Sequence, residues 1–219
     1  MKEFVVEQLT PEWFELKHGK IGGSSVASLM ANKPVEDLAL FNEIVADLCE
    51  DYEHRDGFLS YDMERGLEME PEAVEVVEEH LGIEFDEIGW CEHDSLKLVG
   101  ISPDRFSKDR KTGLEIKCPA GKTHVGYLRE GVVPSEYFWQ IIQYFVVNKQ
   151  CETVYFASYR PENQFKQLFL KKVELNDVMK FKIGRTAHEL TVSEIVEMVE
   201  TKAAEFEKAV FEYVDSLQF

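Results

Sequence analysis

The sequence predicts an α/β fold, a mixed central β-sheet flanked by helices, in a single domain over residues 1–219. Three observations predict it. Hydrophobic residues recur at helical spacing as far as His80, alternate like strands from Ile83 to Pro119, and turn helical again after Pro134. A second pair of strand-like runs then precedes a last amphipathic helix, an order unlike regular β-α-β winding. At 44% hydrophobic and 12% aromatic over 219 residues, the chain can bury one sizeable core. Its charged residues are too interspersed with Phe, Val, Ile and Leu for disorder.

The elements follow in order. Thr10-Pro11-Glu12 sets an N-cap and a proline at the first helical position, opening a short helix that stops near Gly19. The glycine-rich "GKIGGSS" turns into a second helix over Ser24 to Met30, and a third covers Val35 to Cys49. A longer helix runs from about Ser60 to His80 and ends before Gly82. "IEFDEIGWCEH", "LKLVGIS" and "GLEIKCP" are strands, with turns at His93-Asp94-Ser95 and Lys108 to Gly113. Pro134 starts the apolar helix "PSEYFWQIIQYFVVN". "CETVYFASY" and "FKQLFLKKVEL" are two more strands, joined through Pro161-Glu162-Asn163. The last helix, Thr191 to Ser216, carries Ile195, Val199, Phe206, Val210, Tyr213 and Leu217 on one face.

No apolar run reaches the length of a membrane span and the N-terminus lacks a signal-peptide core, so the expectation is a soluble cytoplasmic protein. Cys49, Cys91, Cys118 and Cys151 are scattered without zinc spacing, and each is expected to be a buried free thiol. The formal charge of −18 argues by itself against a nucleic-acid partner. The distribution argues otherwise: Arg105 to Arg129 holds seven basic residues against two acids, a +5 segment on a remainder of −23. Such a field confines a polyanion to one surface, although Lys108 to Lys111 alone would also suit a solvated loop.

Within that segment, Glu115 and Lys117 share one strand face while Leu114, Ile116 and Cys118 take the other. Asp104, at the end of the preceding strand region, can reach the polar face across a hairpin. Two carboxylates with a lysine beside them make a site for a hard metal and a phosphate, with the Ile116 carbonyl as a further oxygen. An exposed Glu–Lys ion pair is the plain alternative. In the long helix, Met63, Leu67, Val74, Val77 and Leu81 form a stripe, and Glu70 stands in it as a lone carboxylate. That is disfavoured unless hydrogen bonds or a cation, either a metal or an arginine, compensate it. Gln140 and Tyr144 share a face of the apolar helix; Gln140 could serve Lys117 or a water, and Gln143 is better explained as a satisfied core residue.

Pro103-Asp104, Glu115-Ile116-Lys117, a helix glutamate before them and Gln140-x-x-x-Tyr144 after them resemble the PD-(D/E)xK nuclease superfamily with its restriction-endonuclease-like core. More closely, "EWFELKHGKIGGS", "ERGLEMEPEAVEVVEEH", "GISPDRF", "GLEIKCP", "PSEYFWQIIQY" and "VYFASYRPE", in that order from Glu12 to Glu162, resemble the phage lambda exonuclease (YqaJ-type viral recombinase) family. The resemblance implies a Mg²⁺-dependent exonuclease, with Mn²⁺ substituting, that digests linear double-stranded DNA from 5′ ends and leaves 3′ single strands. Asp104, Glu115, Ile116 and Glu70 would hold metal, Lys117 would activate water with a depressed pKa, and Gln140 would position it. Lys17, Ser24 and Ser102 would receive the 5′-phosphate, with Ser24 opening a helix, Arg105 on the DNA and Met63 as a wedge or a core residue. His18 and Lys20 could contribute. The family prototype has arginine where Lys17 stands, which implies a weaker preference for phosphorylated ends. The resemblance also implies a toroidal homotrimer and a single-strand annealing protein as partner. With the last cysteine at Cys151, no iron–sulfur cluster is expected. The competing readings are an endonuclease on the same core and a non-catalytic DNA-end-binding protein.

Overall fold

The computed structural model describes residues 1–53 and 61–217; the side chains of residues 61–63, Met63 included, lie outside that description. The predicted mixed α/β architecture is observed, with more strands than the pattern suggested. After a three-residue β1 (Lys2–Phe4), Thr10 caps α1 (Pro11–Lys17) by accepting from the Trp13 amide, and α2 (Val26–Leu29) follows. The third helix begins late. Val35–Asp37 form a 3₁₀ turn, Leu38 is extended, and only then does α3 (Ala39–Cys49) start. The long helix α4 (Tyr61–Leu81) ends at Gly82, whose φ of +66° lets the chain reverse at no steric cost. It carries Pro71 in its interior, which has no N–H to return to the Leu67 carbonyl.

The first strand-like run divides between two sheets. β2 (Phe85–Asp86) and β3 (Trp90–Glu92) are separate strands, and β4 (Gly100–Ile101) pairs with β3 in a sheet ordered β1-β3-β4. Asp104 therefore does not end the strand expected at "LKLVGIS"; it precedes β5 (Arg105–Ser107), the true hairpin partner of β6 (Thr112–Lys117). The main sheet is ordered β2-β5-β6-β7-β8, with β7 (Thr153–Tyr159) parallel to β6 and β8 (Leu168–Glu174) antiparallel to β7. The crossover holds α5 (Gly121–Glu130), which the sequence pattern did not suggest, and α6 (Phe138–Val147), preceded by a turn at Pro134. A further hairpin, β9 (Val178–Ile183) and β10 (Thr186–Thr191), leads into α7 (Val192–Ser216), closed by a reciprocal Thr191–Glu194 capping box.

Packing divides by sheet face. Leu114 and Ile116 of β6 and Cys118 just beyond it bury against Ala73, Val74 and Val77 of α4, as their alternation required. The other side is the larger core, with α6 and α7 in it; Ile195, Val199, Phe206 and Val210 are buried there, whereas Tyr213 and Leu217 are exposed. The α4 stripe also departs from expectation, because Leu67 is 45% exposed and belongs to a cleft rather than to the core. Among the described residues no helix is long and apolar enough to cross a membrane. Cys91, Cys118 and Cys151 are buried thiols, but Cys49, at the end of α3, is exposed.

Candidate active site

The β5–β6 hairpin builds the site. Arg105 pairs with Leu114 and Phe106 with Gly113, so the register carried one step outward sets Asp104 opposite Glu115. Asp104 is held there by the Ile116 amide, which donates to its Oδ2 at 2.6 Å. The Asp104 amide in turn donates to the Tyr144 hydroxyl at 2.9 Å. That hydroxyl lies 2.8 Å from the Leu114 carbonyl and 3.1 Å from Glu115 Oε2. The Tyr144 ring can reach so far only because position 113 is glycine; a Cβ there would stand 2.4 Å from the ring. One tyrosine from α6 thus ties the Asp104 main chain to the Leu114 carbonyl and the Glu115 carboxylate.

Lys117 Nζ lies 2.6 Å from Glu115 Oε1 and 3.5 Å from Asp104 Oδ2, with the Tyr137 ring centroid 5.3 Å away. From α4, Glu70 Oε1 meets Arg105 Nη1 at 2.7 Å. Glu70, Asp104, Ile116 and Lys117 line one cleft of about 540 Å³, with Leu9, Leu67 and Tyr137 among its walls. A larger cavity of about 880 Å³, walled by Trp139, Phe181 and Lys182, contains none of these carboxylates. Chemistry, not size, selects the smaller one.

Burial, then the charge of Asp104, pushes the Glu115 carboxyl up to about 7. Burial, then Asp104, raises Glu70 as well, against the pull of Arg105 and Lys117. Burial works against the charge on Lys117, but Asp104 and Glu115 outweigh it and hold the ammonium above its ordinary range. The depressed lysine expected from the sequence therefore requires cations to take up the carboxylate charge first.

Do these residues fit a divalent metal? Among the described residues no three Asp, Glu, His or Cys side chains are drawn together closely enough to hold one as they stand. Their partners explain why: Arg105 occupies Glu70 and Lys117 occupies Glu115. The donor set still fits. Three carboxyl groups share two cations at a partly buried cleft, so one of them has no cation of its own. Glu115 Oε1 is buried and, for all its closeness to Lys117, receives no aligned hydrogen bond among the described residues. An oxygen so placed is a ready ligand for a hard cation.

The other expected site residues are placed as follows. Lys17 lies with Nζ 3.5 Å from the Trp13 ring centroid, and Trp13 Nε1 is 2.9 Å from Ser102 Oγ, so the indole joins Lys17 to Ser102. Ser24 is exposed but does not open a helix. It precedes the four-residue α2, whose cap is Ser25, and a helix so short offers little dipole for a phosphate. His18 and Lys20 are engaged elsewhere, His18 with Asp47 and Lys20 with Glu92 and the Lys97 carbonyl. Gln140 makes no hydrogen bond to Lys117 among the described residues; it packs on Gly23, whose added Cβ would stand 3.2 Å from Gln140 Cγ. Gln143 is fully buried and only half satisfied: its amide nitrogen donates to the Gly100 carbonyl at 2.9 Å, but its Oε1 has no hydrogen-bond partner among the described residues, so the satisfied core glutamine expected from the sequence holds for the nitrogen alone.

The positive segment is largely neutralised where it folds. Arg105 turns onto Glu70 and Glu87, Lys108 onto Glu84, Arg110 onto Glu3 and Asp86, and Lys111 onto Glu152. Only Lys122 and Arg129, both exposed on α5, have no acidic partner among the described residues. Sequence reasoning named Tyr144 but gave it no role, and offered Arg105 to DNA when its neighbour is Glu70. The Gln140-x-x-x-Tyr144 spacing was the available signal for the first; the second depended on where α4 lands.

A family model described as a YqaJ-like viral recombinase domain matches residues 12–151. An alkaline exonuclease from Laribacter hongkongensis shares the fold at 24% identity, with 95% of this chain and 96% of that one covered and a TM-score of 0.73. Its complex with dAMP aligns equally far at a TM-score of 0.72. A phage-related exonuclease from Haemophilus somnus aligns over 91% of this chain and 96% of its own at 11% identity and a TM-score of 0.58. No curated protein sequence matches significantly.

Proposed function

The chain belongs to the YqaJ-like viral recombinase domain family, and from that premise we propose that it is a divalent-metal-dependent exonuclease acting on linear double-stranded DNA. It hydrolyses the strand from its 5′ end and leaves a 3′ single strand. The observation that carries this reading is the placement of Asp104 opposite Glu115, with Lys117 beside both and Glu70 in the same cleft. The dAMP held by the Laribacter enzyme, a deoxynucleotide, is in keeping with DNA as substrate.

Asp104, Glu115, the Ile116 carbonyl and Glu70 would hold Mg²⁺ or Mn²⁺, which when bound stabilises the charge of an in-line displacement at phosphorus. The chain does the rest. Tyr144 and the Ile116 amide hold Asp104 at a fixed angle to Glu115. Arg105 holds Glu70 in the cleft through their ion pair. Lys117, neutral once cations have taken up the charge of Asp104 and Glu115, would orient the attacking water and take its proton. Lys17 and Ser102, joined through Trp13, receive the terminal phosphate. An annealing protein that takes up the 3′ strand would meet an exterior of net negative charge.

The test uses Mg²⁺ and three DNAs: a linear duplex with 5′-phosphates, the same duplex with 5′-hydroxyls, and a closed circle. Loss of the linear forms alone, stopped by EDTA and reduced at least about a hundredfold in Lys117→Ala, is the expected result. Cutting of the circle would assign an endonuclease instead. Binding without cutting would assign an end-binding protein.

A further inference from the structure

Leu9 stands in a conformation that a leucine avoids. Its φ is +67°, in the left-handed region where a Cβ crowds the following carbonyl. Among the described residues only one other non-glycine residue, Arg110, has a positive φ. The usual return for such strain is burial of the side chain, and Leu9 does not collect it, being 38% exposed. Glycine or asparagine would suit this backbone better, so packing alone does not account for a leucine here.

Its surroundings are specific. Gln8 Nε2 donates to the Pro103 carbonyl at 3.1 Å, which pins the turn beside the residue that precedes Asp104. Thr10, on the other side, donates to the Glu7 carbonyl and caps α1. The turn is therefore held at both ends, and the side chain between them lines the cleft that contains Glu70, Asp104 and Lys117. Leu67, on the cleft-facing turn of α4, lines the same cleft and is likewise exposed. Phosphates seek the charged floor; two exposed leucines offer them nothing. What they match is the uncharged part of a nucleotide, its deoxyribose and the face of its base.

We propose that Leu9 is a substrate contact, the apolar wall against which the terminal nucleoside of the cut strand lies while the scissile phosphate on its 3′ side meets the carboxylates. Leu67 supplies a second such surface. The proposal rests on the nuclease reading and deepens it. It makes the cleft recognise the nucleoside by shape and apolar contact, without reading base identity.

Leu9→Gly separates this role from a structural one, because it relieves the backbone while removing the side chain. The expected result is a melting temperature equal to or above wild type with about a tenfold lower kcat/KM on a 5′-phosphorylated linear duplex, carried by KM. In EDTA, the affinity for a fluorescent duplex end, read by anisotropy, falls by a similar factor. With an abasic terminal nucleotide wild type loses activity, and Leu9→Gly loses little more. Unchanged kinetics and end-binding in a folded Leu9→Gly protein would overturn the proposal while leaving the nuclease reading intact. A lower melting temperature with unchanged end-binding would make Leu9 structural. A wild-type protein that neither cuts nor binds ends would remove both readings together.

Discussion

Lys17 shows what one residue contributes and how pH exposes it. Burial against Trp13 lowers its pKa from 10.5 to about 8. The unfolded chain keeps the proton up to 10.5, so the cost of burying the charge is full below pH 8 and is relieved as pH rises from 8 to 10.5. If this ammonium receives the 5′-phosphate, the rate ratio of phosphorylated to hydroxyl ends should fall as the free enzyme is taken through pH 8. Lys17→Arg, whose guanidinium stays charged, should hold that ratio to pH 10, about two units further. A ratio that is flat in wild type over the same range would remove Lys17 from the end-binding pocket. Side-chain chemistry at this scale was legible where it depended on a strand. The two-residue period placed Glu115 and Lys117 on one face and Leu114, Ile116 and Cys118 on the other, and both placements hold. It was not legible where a partner comes from another element. Arg105 meets Glu70, and Lys108, Arg110 and Lys111 find their acids, only because α4, the start of β2, the N-terminal strand and the start of β7 arrive beside them.

Elements with one strong local signal were legible, among them α1 from Thr10-Pro11, α4 from its stripe and α6 from its apolar run. The β9–β10 hairpin and α5 were passed over. Val178 to Ile183 alternates about Gly184, but its polar half is solvent-facing lysine, and α5 is short and polar, with two glycines. Yet α5 holds the site's free positive charge. Thr123 and Tyr127 of this helix line the carboxylate cleft, while Lys122 and Arg129 project as exposed cations without acidic partners among the described residues. The basic residues of the β5–β6 turn cannot serve DNA equally, since each would first have to leave a carboxylate. Lys122→Ala and Arg129→Ala should therefore each lower the slope of log affinity against log salt for duplex DNA by about one. Lys111→Ala, which only breaks the exposed pair with Glu152, should leave the slope unchanged. Equal slopes in all three variants would mean that the DNA path avoids α5.

At the scale of the whole molecule, net charge and assembly have to be reconciled. Each chain carries −18, so copies of it repel one another as well as DNA. A ring of three, which the family resemblance implies, would have to overcome this through heterologous contacts, one patch of each copy on a different patch of the next. The groove of about 880 Å³ is suited to such a contact: Val132 and Val178 are 51% and 60% exposed at its rim, and Trp139 and Phe181 line it. Apolar attraction changes little with salt, whereas like-charge repulsion is screened as the Debye length falls from about 30 Å at 0.01 M to about 3 Å at 1 M. The ring should therefore assemble more completely at high salt, the reverse of an assembly held by ion pairs. Sedimentation across that range should show a mass near three chains of 25.3 kDa at high salt and smaller species at low salt. Val178→Glu, replacing exposed apolar surface at the rim of the groove with a charge that must be desolvated on contact, should favour the smaller species throughout. A single-chain mass at every salt concentration would remove the ring. DNA would then have to be retained by the cleft alone, and digestion of a long duplex would proceed by repeated dissociation from each end.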